Sequence, residues 1–425
     1  MPAKCAAPRA TAHLSQEYRT PAWEQRKLGE LTESYSGGTP AAGESEFYGG
    51  SIPFIRSAEI AAESTELFLT EKGYESSSAR MVKPGDVLYA LYGATSGEVA
   101  VSRQKGAINQ AILAILPRDD CDARYITAWL RKQKGYIVTT YLQGGQGNLS
   151  GVIVKNLEVF IPSLPEQQKI GFMLSHLDSL ITLHQRKYDK LCVLKKSMLD
   201  KMFPKGGSLY PEIRFAGFTD PWEQRKLEDY VVVSTAKNVD GRFNKEDVLS
   251  VSGEYGIVNQ IAFQGRSFAG SSVLNYGIVN TGDIVYTKSP LNSNPYGIIK
   301  VNKGIPGIVS TLYAVYRPQD NVHTNFIQVY FEQHERMNNY MHPLVNKGAK
   351  NDMKVTAENA LKGVVTFPSR EEQVIISEFF DRLDSLITLH QRKYCGVASW
   401  MLGVALVRLG SESDGAFGEM KHVLR

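Results

Sequence analysis

The chain repeats itself, and this repeat constrains the fold more than any other feature of the sequence. The hexapeptide WEQRKL stands at residues 23–28 and again at residues 222–227. A longer segment, LDSLITLHQRKY, stands at residues 177–188 and returns at residues 383–394. Because a period of about 200 residues is far too long for a solenoid unit, the sequence predicts two complete domains in tandem. Each consists of a constant segment, a variable segment and a constant helix.

Size and composition are those of a folded globular protein. The 425 residues allow two or three domains, and 43% of them are apolar against 22% charged. The net charge is only +4, so a nucleic-acid surface would have to come from local clusters of basic residues. Four scattered cysteines without a CxxC pair argue against a disulfide framework and a structural zinc site. With no signal peptide and no apolar stretch of about 18 residues, we expect a cytoplasmic protein that is not embedded in a membrane.

The constant helix has the apolar spacing of a coiled coil. Alternating steps of four and three residues from Ile170 meet ten positions, of which eight are apolar or aromatic. Pro165 stands where a helix tolerates proline, and Pro204 stands where the helix should end. The second copy begins in the same phase, but Gly396 and Gly403 are expected to interrupt it. The second helix is therefore predicted to be shorter than the first.

Each apolar seam needs a partner, and the nearest candidate is the seam of the other copy. Because a globular segment lies between the two helices and returns the chain, we expect an antiparallel intramolecular coiled coil and a pseudo-two-fold relation between the halves. His184 and His390 hold equivalent seam positions, where a polar residue that sets the register is favoured over a metal ligand. The predicted seam residues are Ile170, Leu174, Leu177, Ile181, His184, Tyr188, Leu191, Met198, Ile376, Phe380, Leu383, Ile387, His390 and Tyr394.

The variable segments have the pattern of an α/β fold. Short β-branched or aromatic runs such as 86–92, 111–117 and 310–318 are bounded by Gly, Pro, Asn or Ser and predict strands. Residues 125–134 and 326–338 predict one amphipathic helix in each half. The predicted organisation is an atypical leader at 1–20, a first variable domain at 21–161, a first helical arm at 162–204, a second variable domain at 205–367, a second arm at 368–394 and an atypical tail at 395–425.

The motifs of common catalytic sites are missing from the sequence. It has no GxxxxGK[ST] phosphate loop, no GxSxG nucleophile elbow and no HExxH metal pair. Asn294-Pro295-Tyr296 is similar to the Asn-Pro-Pro-Tyr motif of adenine methyltransferases, but it lacks the second proline and a glycine-rich turn for the methyl donor. A loop is therefore the favoured interpretation of this tripeptide. The chain is predicted to bind rather than to catalyse, with no metal and no cofactor of its own.

The repeated WEQRKL and LDSLITLHQRKY segments, with PSLPEQQKI at 162–170 and its counterpart PSREEQVII at 368–376, resemble the specificity subunit of type I restriction-modification enzymes. The resemblance covers residues 21–394. It implies a non-catalytic subunit in which each variable domain reads one half of a bipartite site in double-stranded DNA. It also implies helical arms that set the spacer and dock two methyltransferase subunits, which restriction subunits then join. S-adenosylmethionine, ATP and Mg are expected in those partners.

Polar and basic loops of the variable domains are the candidates for DNA contact, because such side chains donate to phosphates and read base edges. A solvated surface loop is the alternative for each of them. The basic run at 186–205 is interpreted as a solvated helix face, with contact to DNA phosphates as the alternative. The candidate residues are Tyr92, Thr95, Ser96, Arg103, Gln143, Gln146 and Asn148 in the first half and Lys288, Ser289, Asn292, Asn294, Tyr296, Lys347, Lys350, Asn351 and Lys354 in the second.

Two other functions remain open from the sequence. A coiled-coil scaffold whose variable domains bind protein would share the repeat, and a self-sufficient DNA adenine methyltransferase would need a methyl-donor site. The two ends of the chain also depart from the repeat, since the tail after Tyr394 and the leader before Pro21 have no counterpart in the other half.

Overall fold

The computed structural model describes residues 23–142, 148–288, 294–347 and 353–407. The chain divides into two compact units, unit 1 at Met1–Thr182 and unit 2 at Leu183–Arg425. Unit 1 contains the strands Glu24–Lys27, Thr32–Ser36, Tyr48–Ile55, Phe68–Leu69, Arg80–Val82, Val87–Ala90, Val99–Val101, Gly106–Ile108, Ile112–Pro117 and Glu158–Ile161. Its helices are Leu28–Leu31, Glu71–Glu75, Ala123–Tyr141 and Gly151–Lys155, followed by the first long helix, Leu164–Lys201.

Unit 2 begins at Leu183, within the first long helix. Its strands are Glu223–Lys226, Val231–Val233, Leu249–Ser252, Gly256–Asn259, Gly277–Val279, Ile284–Thr287, Ile299–Val301, Gly307–Val309, Tyr313–Pro318, Asn346–Lys347, Met353–Lys354 and Val364–Phe367. Its own helices are Gln260–Gln264, Thr324–Glu332, His334–Met341 and the second long helix, Arg370–Val407. The mixture of helices and sheets confirms the predicted α/β class.

A four-stranded antiparallel sheet forms the centre of unit 1. Its strand order is Thr32–Ser36, Ile112–Pro117, Val87–Ala90 and Val99–Val101. Successive side chains of a strand point to opposite faces. Tyr89 accordingly joins a core with Leu130 of the helix Ala123–Tyr141, whereas Leu88 joins a second core with Ile108 of a neighbouring sheet.

The central sheet of unit 2 has the same topology. Its order is Val231–Val233, Tyr313–Pro318, Ile284–Thr287 and Ile299–Val301. Tyr286 packs with Phe326 of the helix Thr324–Glu332, and Val285 packs on the opposite face with Val309. The two variable segments therefore keep one central-sheet topology although their sequences have diverged.

The constant segments have the same structural role in each unit. The EQRK part of each WEQRKL is a strand that pairs with the strand just before the long helix, with Glu24 opposite Ile161 in unit 1 and Glu223 opposite Phe367 in unit 2. Their tryptophans differ: Trp222 is buried in an aromatic core with Phe203, whereas Trp23 is 39% exposed.

A repeated glutamine explains the likeness of PSLPEQQKI and PSREEQVII. In unit 1 the buried Gln167 accepts a hydrogen bond from the backbone N–H of Asp122 at 3.0 Å, just before the helix Ala123–Tyr141. In unit 2 the equally buried Gln373 accepts one from His323 at 2.9 Å, just before the helix Thr324–Glu332. Each glutamine also donates to the carbonyl of Pro162 or Pro368. The motif thus holds the start of each long helix against the variable segment of its own unit.

Three side-chain contacts of unit 2 show that the long helices run antiparallel there. His184 contacts His390, Lys195 contacts Asp384, and Phe203, just past the end of the first helix, contacts Phe380. Residue numbers rise along one helix as they fall along the other. The predicted antiparallel direction is therefore correct for this stretch.

Two helix predictions were wrong. The second long helix does not stop shortly after Tyr394 but continues through Gly396 and Gly403 to Val407, so it has 38 residues, like the first. A glycine costs only about 1 kcal/mol in a helix, and Ala, Met and Leu, which favour helix, surround these two. The predicted single helix at 326–338 is broken at Gln333, whose extended backbone separates two shorter helices.

Candidate nucleic-acid interface

Most of the candidate DNA-contact residues fall on two loops that are equivalent in the two units. In unit 1 the first loop joins the strand Val87–Ala90 to Val99–Val101, and in unit 2 its counterpart joins Ile284–Thr287 to Ile299–Val301. The second loop follows the helix Ala123–Tyr141 in unit 1 and the helix His334–Met341 in unit 2. The repeat thus brings the candidates to corresponding places.

The two loops of unit 1 meet. Tyr92 on the first loop forms an isolated antiparallel bridge with Asn148 on the second. The N–H of Leu149 donates to the carbonyl of Leu91 at 3.0 Å. Tyr92 is half-buried and Asn148 is exposed, so this junction offers an aromatic and an amide side chain on one surface. The candidates Gln143 and Gln146 lie outside the described residues.

Thr95 and Ser96 shape the first loop from within. The Thr95 hydroxyl donates to the carbonyl of Tyr92 at 3.3 Å, and the Ser96 hydroxyl donates to the carbonyl of Leu91 at 3.3 Å. Only 8% of Ser96 is exposed. Its side chain therefore stabilises the turn and has little surface left for a ligand.

In unit 2 the loop end at residues 294–298 is fixed by backbone contacts. The Tyr286 hydroxyl donates to the carbonyl of Tyr296 at 2.8 Å, and the N–H of Gly297 donates to the carbonyl of Asn294 at 2.9 Å. Gly297 has a φ of +77°, and a Cβ placed there would lie 1.9 Å from the carbonyl oxygen of Thr287. This turn, Asn294-Pro295-Tyr296-Gly297, accounts for the methyltransferase-like tripeptide as a loop.

Side chains of the second loop adjoin this turn. The ring of Tyr296 meets the ring of His342 edge to face, with centroids 6.4 Å apart, and His342 begins the segment that leads into the second loop. There Asn346–Lys347 pairs with Met353–Lys354 as a short antiparallel hairpin. Lys288, at the start of the first loop, is half-buried. The candidates Ser289, Asn292, Lys350 and Asn351 lie outside the described residues.

Arg103 is not on this surface. Val87 pairs with Val101, so Arg103 lies past the end of the hairpin opposite to Tyr92. Its guanidinium forms an ion pair with Glu63 at 3.1 Å. The structure thus separates Arg103 from the other candidates of unit 1.

Exposed aromatic residues beside the unit 2 loops were missed by the sequence reasoning. Tyr255, at the turn between Leu249–Ser252 and Gly256–Asn259, is 59% exposed and lies 5.4 Å from the half-exposed ring of Phe263. A Cβ on Gly253 in the same turn would lie 4.0 Å from Ile298, which places the turn beside the first loop. The EYG turn between two β-branched runs was the available signal.

The predicted seam residues have three kinds of environment. Ile170 packs on the core of unit 1, while Leu174, Leu177 and Ile181 are half-buried. Ile376, Phe380 and Leu383 are buried in the core of unit 2, on which Leu191 and Met198 also pack. Tyr188, Ile387 and the pair His184 and His390 are half-buried, and the side chain of Tyr394 lies outside the described residues.

A polar cluster that the sequence did not predict lies next to this seam. The ammonium of Lys195 is 2.6 Å from both Glu332 and Asp384, and only 14% of the Lys195 side chain is exposed. Burial alone would lower the pKa of Lys195, but the two carboxylates outweigh burial and raise it. Burial raises the pKa of Asp384.

Within the described ranges, no three His, Cys, Asp or Glu side chains come together as metal ligands. None of the helices in those ranges is long and apolar enough to cross a membrane.

Comparison with known proteins gives a family match for one part of the chain. Residues 21–192 match the model of the type I restriction modification DNA specificity domain. The match begins at the first constant segment and ends within the first long helix.

Similar proteins carry names of the same kind. The type I restriction enzyme MjaIX specificity subunit of Methanocaldococcus jannaschii is 27% identical over 52% of this chain and 54% of its own length. The EcoR124I/EcoR124II specificity subunit of Escherichia coli is 26% identical over 39% of this chain and 46% of its own. The chain thus spans about half the length of the curated relatives it matches.

A solved structure shares the fold of both units. The S subunit of the type I restriction-modification system of M. genitalium superimposes with a TM-score of 0.56 and covers 91% of this chain and 95% of its own. The sequence identity is 13%, so this likeness concerns the fold.

Proposed function

We propose that this protein is the DNA-sequence-recognition subunit of a type I restriction-modification complex, and that it is not itself an enzyme. The observation that carries the proposal is the match of residues 21–192 to the specificity-domain model, together with a second unit whose central sheet has the same topology. Each unit reads one half of a bipartite site in double-stranded DNA. Catalysis, namely adenine methylation and ATP-dependent restriction, resides in partner subunits, which bind S-adenosylmethionine, ATP and Mg.

The two loop surfaces support a different sequence in each half-site. The fold of the central sheets is kept, but Tyr92 and Asn148 stand on the unit 1 surface where unit 2 has Lys288 and Tyr296. Amide side chains favour adenine, and lysine favours guanine or phosphate. Equivalent scaffolds with unlike side chains are what an asymmetric bipartite site requires.

The near-identical helix segments support two copies of one partner. Leu183 and Leu389 are equivalent residues of LDSLITLHQRKY and are 45% and 44% exposed, and Leu386 is 43% exposed. Exposed leucines at the same place in a repeat that is otherwise divergent fit one apolar surface used twice. We assign these faces to two methyltransferase subunits, with the helices setting the spacer between the half-sites.

Genome-wide mapping of N6-methyladenine tests the proposal directly. The full chain is co-expressed with the methyltransferase subunit of its operon in a host without adenine methylation. We expect a single bipartite motif that disappears when either protein is omitted. Methylation by this chain alone would instead show a self-sufficient methyltransferase.

A binding measurement separates DNA recognition from a protein scaffold. Affinity for a duplex that carries the mapped motif should fall steeply with salt, because DNA binding releases counterions from the phosphates. An affinity that is equal for motif and scrambled duplexes in the assembled complex would contradict sequence recognition.

A further inference from the structure

Lys195 joins three helices of unit 2. Its ammonium lies 2.6 Å from Oε1 of Glu332, at the end of the helix Thr324–Glu332. It also lies 2.6 Å from Oδ1 of Asp384 on the second long helix. Lys195 itself belongs to the first long helix. One side chain therefore connects the recognition domain and both long helices.

The surroundings of Lys195 make this contact sensitive to the register of the first long helix. Leu191 and Met198, the nearest seam residues of the first long helix, pack on an apolar core. Lys300 faces the same cluster; it is 8% exposed, and burial lowers its pKa. Separating a buried charged group from its partner costs much free energy, whereas apolar side chains can repack against new neighbours. The cluster is therefore sensitive to sliding of the helix in a way that the leucines and methionines are not.

We propose that Lys195 is the residue that fixes the lengthwise register of the first long helix against the second, and thereby the spacer length of the DNA site. This inference rests on the proposed function. A slip of one helical turn would move the ammonium by about 5.4 Å and break both ion pairs. Because duplex DNA rises about 3.4 Å per base pair, such a slip corresponds to one or two base pairs of spacer.

The sequence context agrees with this role. Buried polar residues at single seam positions specify register at a cost in stability, while an all-apolar seam permits several registers. Lys195 breaks the apolar spacing of the first helix, and its partners come from two other elements. The lysine is thus a positioning residue that acts through the helices and does not contact DNA.

The test replaces the cluster by apolar residues in the full chain. The variant Lys195→Met, Glu332→Met, Asp384→Leu, Lys300→Met makes the cluster apolar and leaves none of its charged groups unpaired. Its matched control, Lys303→Met with Asp381→Leu, removes an ion pair of 2.7 Å that links the recognition domain to the second long helix without involving the first. Both variants are co-expressed with the methyltransferase subunit, and the spacer lengths of methylated sites are counted.

We expect the wild type and the control to methylate one spacer length. In the cluster variant the preference for that length over spacers one or two base pairs different should fall about tenfold or more, with both half-sites unchanged. Thermal unfolding of the purified variants shows that they are folded. A folded cluster variant with the wild-type spacer distribution would overturn the inference. A wild type that methylates no bipartite motif would instead refute the proposed function.

Discussion

The Nδ1 atoms of His184 and His390 lie 3.0 Å apart, with one imidazole on each long helix. At this distance one ring donates its N–H and the other accepts, so the contact requires at least one neutral ring. Desolvation, followed by electrostatic interactions with His184, Lys187 and Lys393, lowers the pKa of His390. The hydrogen bond between the helices therefore exists only while at least one of the two rings is neutral.

This geometry predicts a pH dependence of stability. A histidine with a lowered pKa in the folded state binds fewer protons than in the unfolded chain, where its pKa is about 6.5. Stability is therefore lost as the pH falls below about 6.5. The midpoint of thermal unfolding should fall more between pH 7.5 and 5.5 in the wild type than in His390→Gln. His323, whose pKa burial also lowers, contributes equally to both proteins.

The control for this prediction is His176→Gln, which changes an exposed imidazole on the first long helix that stacks on Phe172. It should leave the pH dependence as in the wild type. An equal pH dependence in His390→Gln and the wild type would show that the pair does not contribute.

Two glycines with positive φ give a matched pair of substitutions. Gly297→Ala would force a Cβ to within 1.9 Å of the Thr287 carbonyl, whereas Gly282, with a φ of +88°, has nothing within 4 Å. Both variants carry the strain of the left-handed region, about 1 kcal/mol. We expect Gly297→Ala to cost about 3 kcal/mol because the loop must also move. Urea unfolding measures the difference, and equal losses would show that the loop accommodates the methyl group freely.

Removal of one partner of the buried ion pair between Arg214 and Glu372 should destabilise the folded protein. Both oxygens of Glu372, which is 1% exposed, accept hydrogen bonds of 2.8 Å from the Arg214 guanidinium. Arg214→Met leaves this carboxylate buried and unpaired, at a cost of about 3 kcal/mol in the free energy of unfolding. The double variant Arg214→Met, Glu372→Leu should recover most of the loss. If the double variant is no more stable than the single one, the unpaired charge is not the cause.

Lys288 is expected to contact phosphate. Lys288→Ala should lower DNA affinity at every sequence and reduce the slope of log K against log salt by about 0.9. Lys226→Ala is the control, because Lys226, the last residue of the strand Glu223–Lys226, forms an ion pair of 3.0 Å with Glu228. Fluorescence anisotropy at several salt concentrations measures both slopes. An unchanged slope for Lys288→Ala would remove this residue from the interface.

The sequence predicted what depends on local pattern. The run at residues 111–117 is the strand Ile112–Pro117, and the seam spacing from Ile170 marks the helix Leu164–Lys201. Both follow from periodicity and from proline placement, which act over a few residues. The candidate loops of the two halves occupy equivalent places within their own units, because the same strand order recurs in both central sheets.

What the sequence could not predict depends on distant neighbours. In the sequence, Lys195 is an unexplained polar residue at a seam position. Its partner Glu332 lies 137 residues away along the chain. Ser96 looks like any loop serine, yet it is buried by the turn that it stabilises. No glycine or proline near Gln333 indicates the break between the two helices. Tertiary contacts decide each of these.

The central claim is that two unlike surfaces read the two halves of one DNA site. Mapping of N6-methyladenine with Tyr92→Ala and, separately, Tyr296→Ala tests it most directly. We expect Tyr92→Ala to relax or change one half of the motif and Tyr296→Ala the other, with the spacer unchanged in both. A variant that alters both halves together, or two variants that alter the same half, would contradict the assignment of one half-site to each unit.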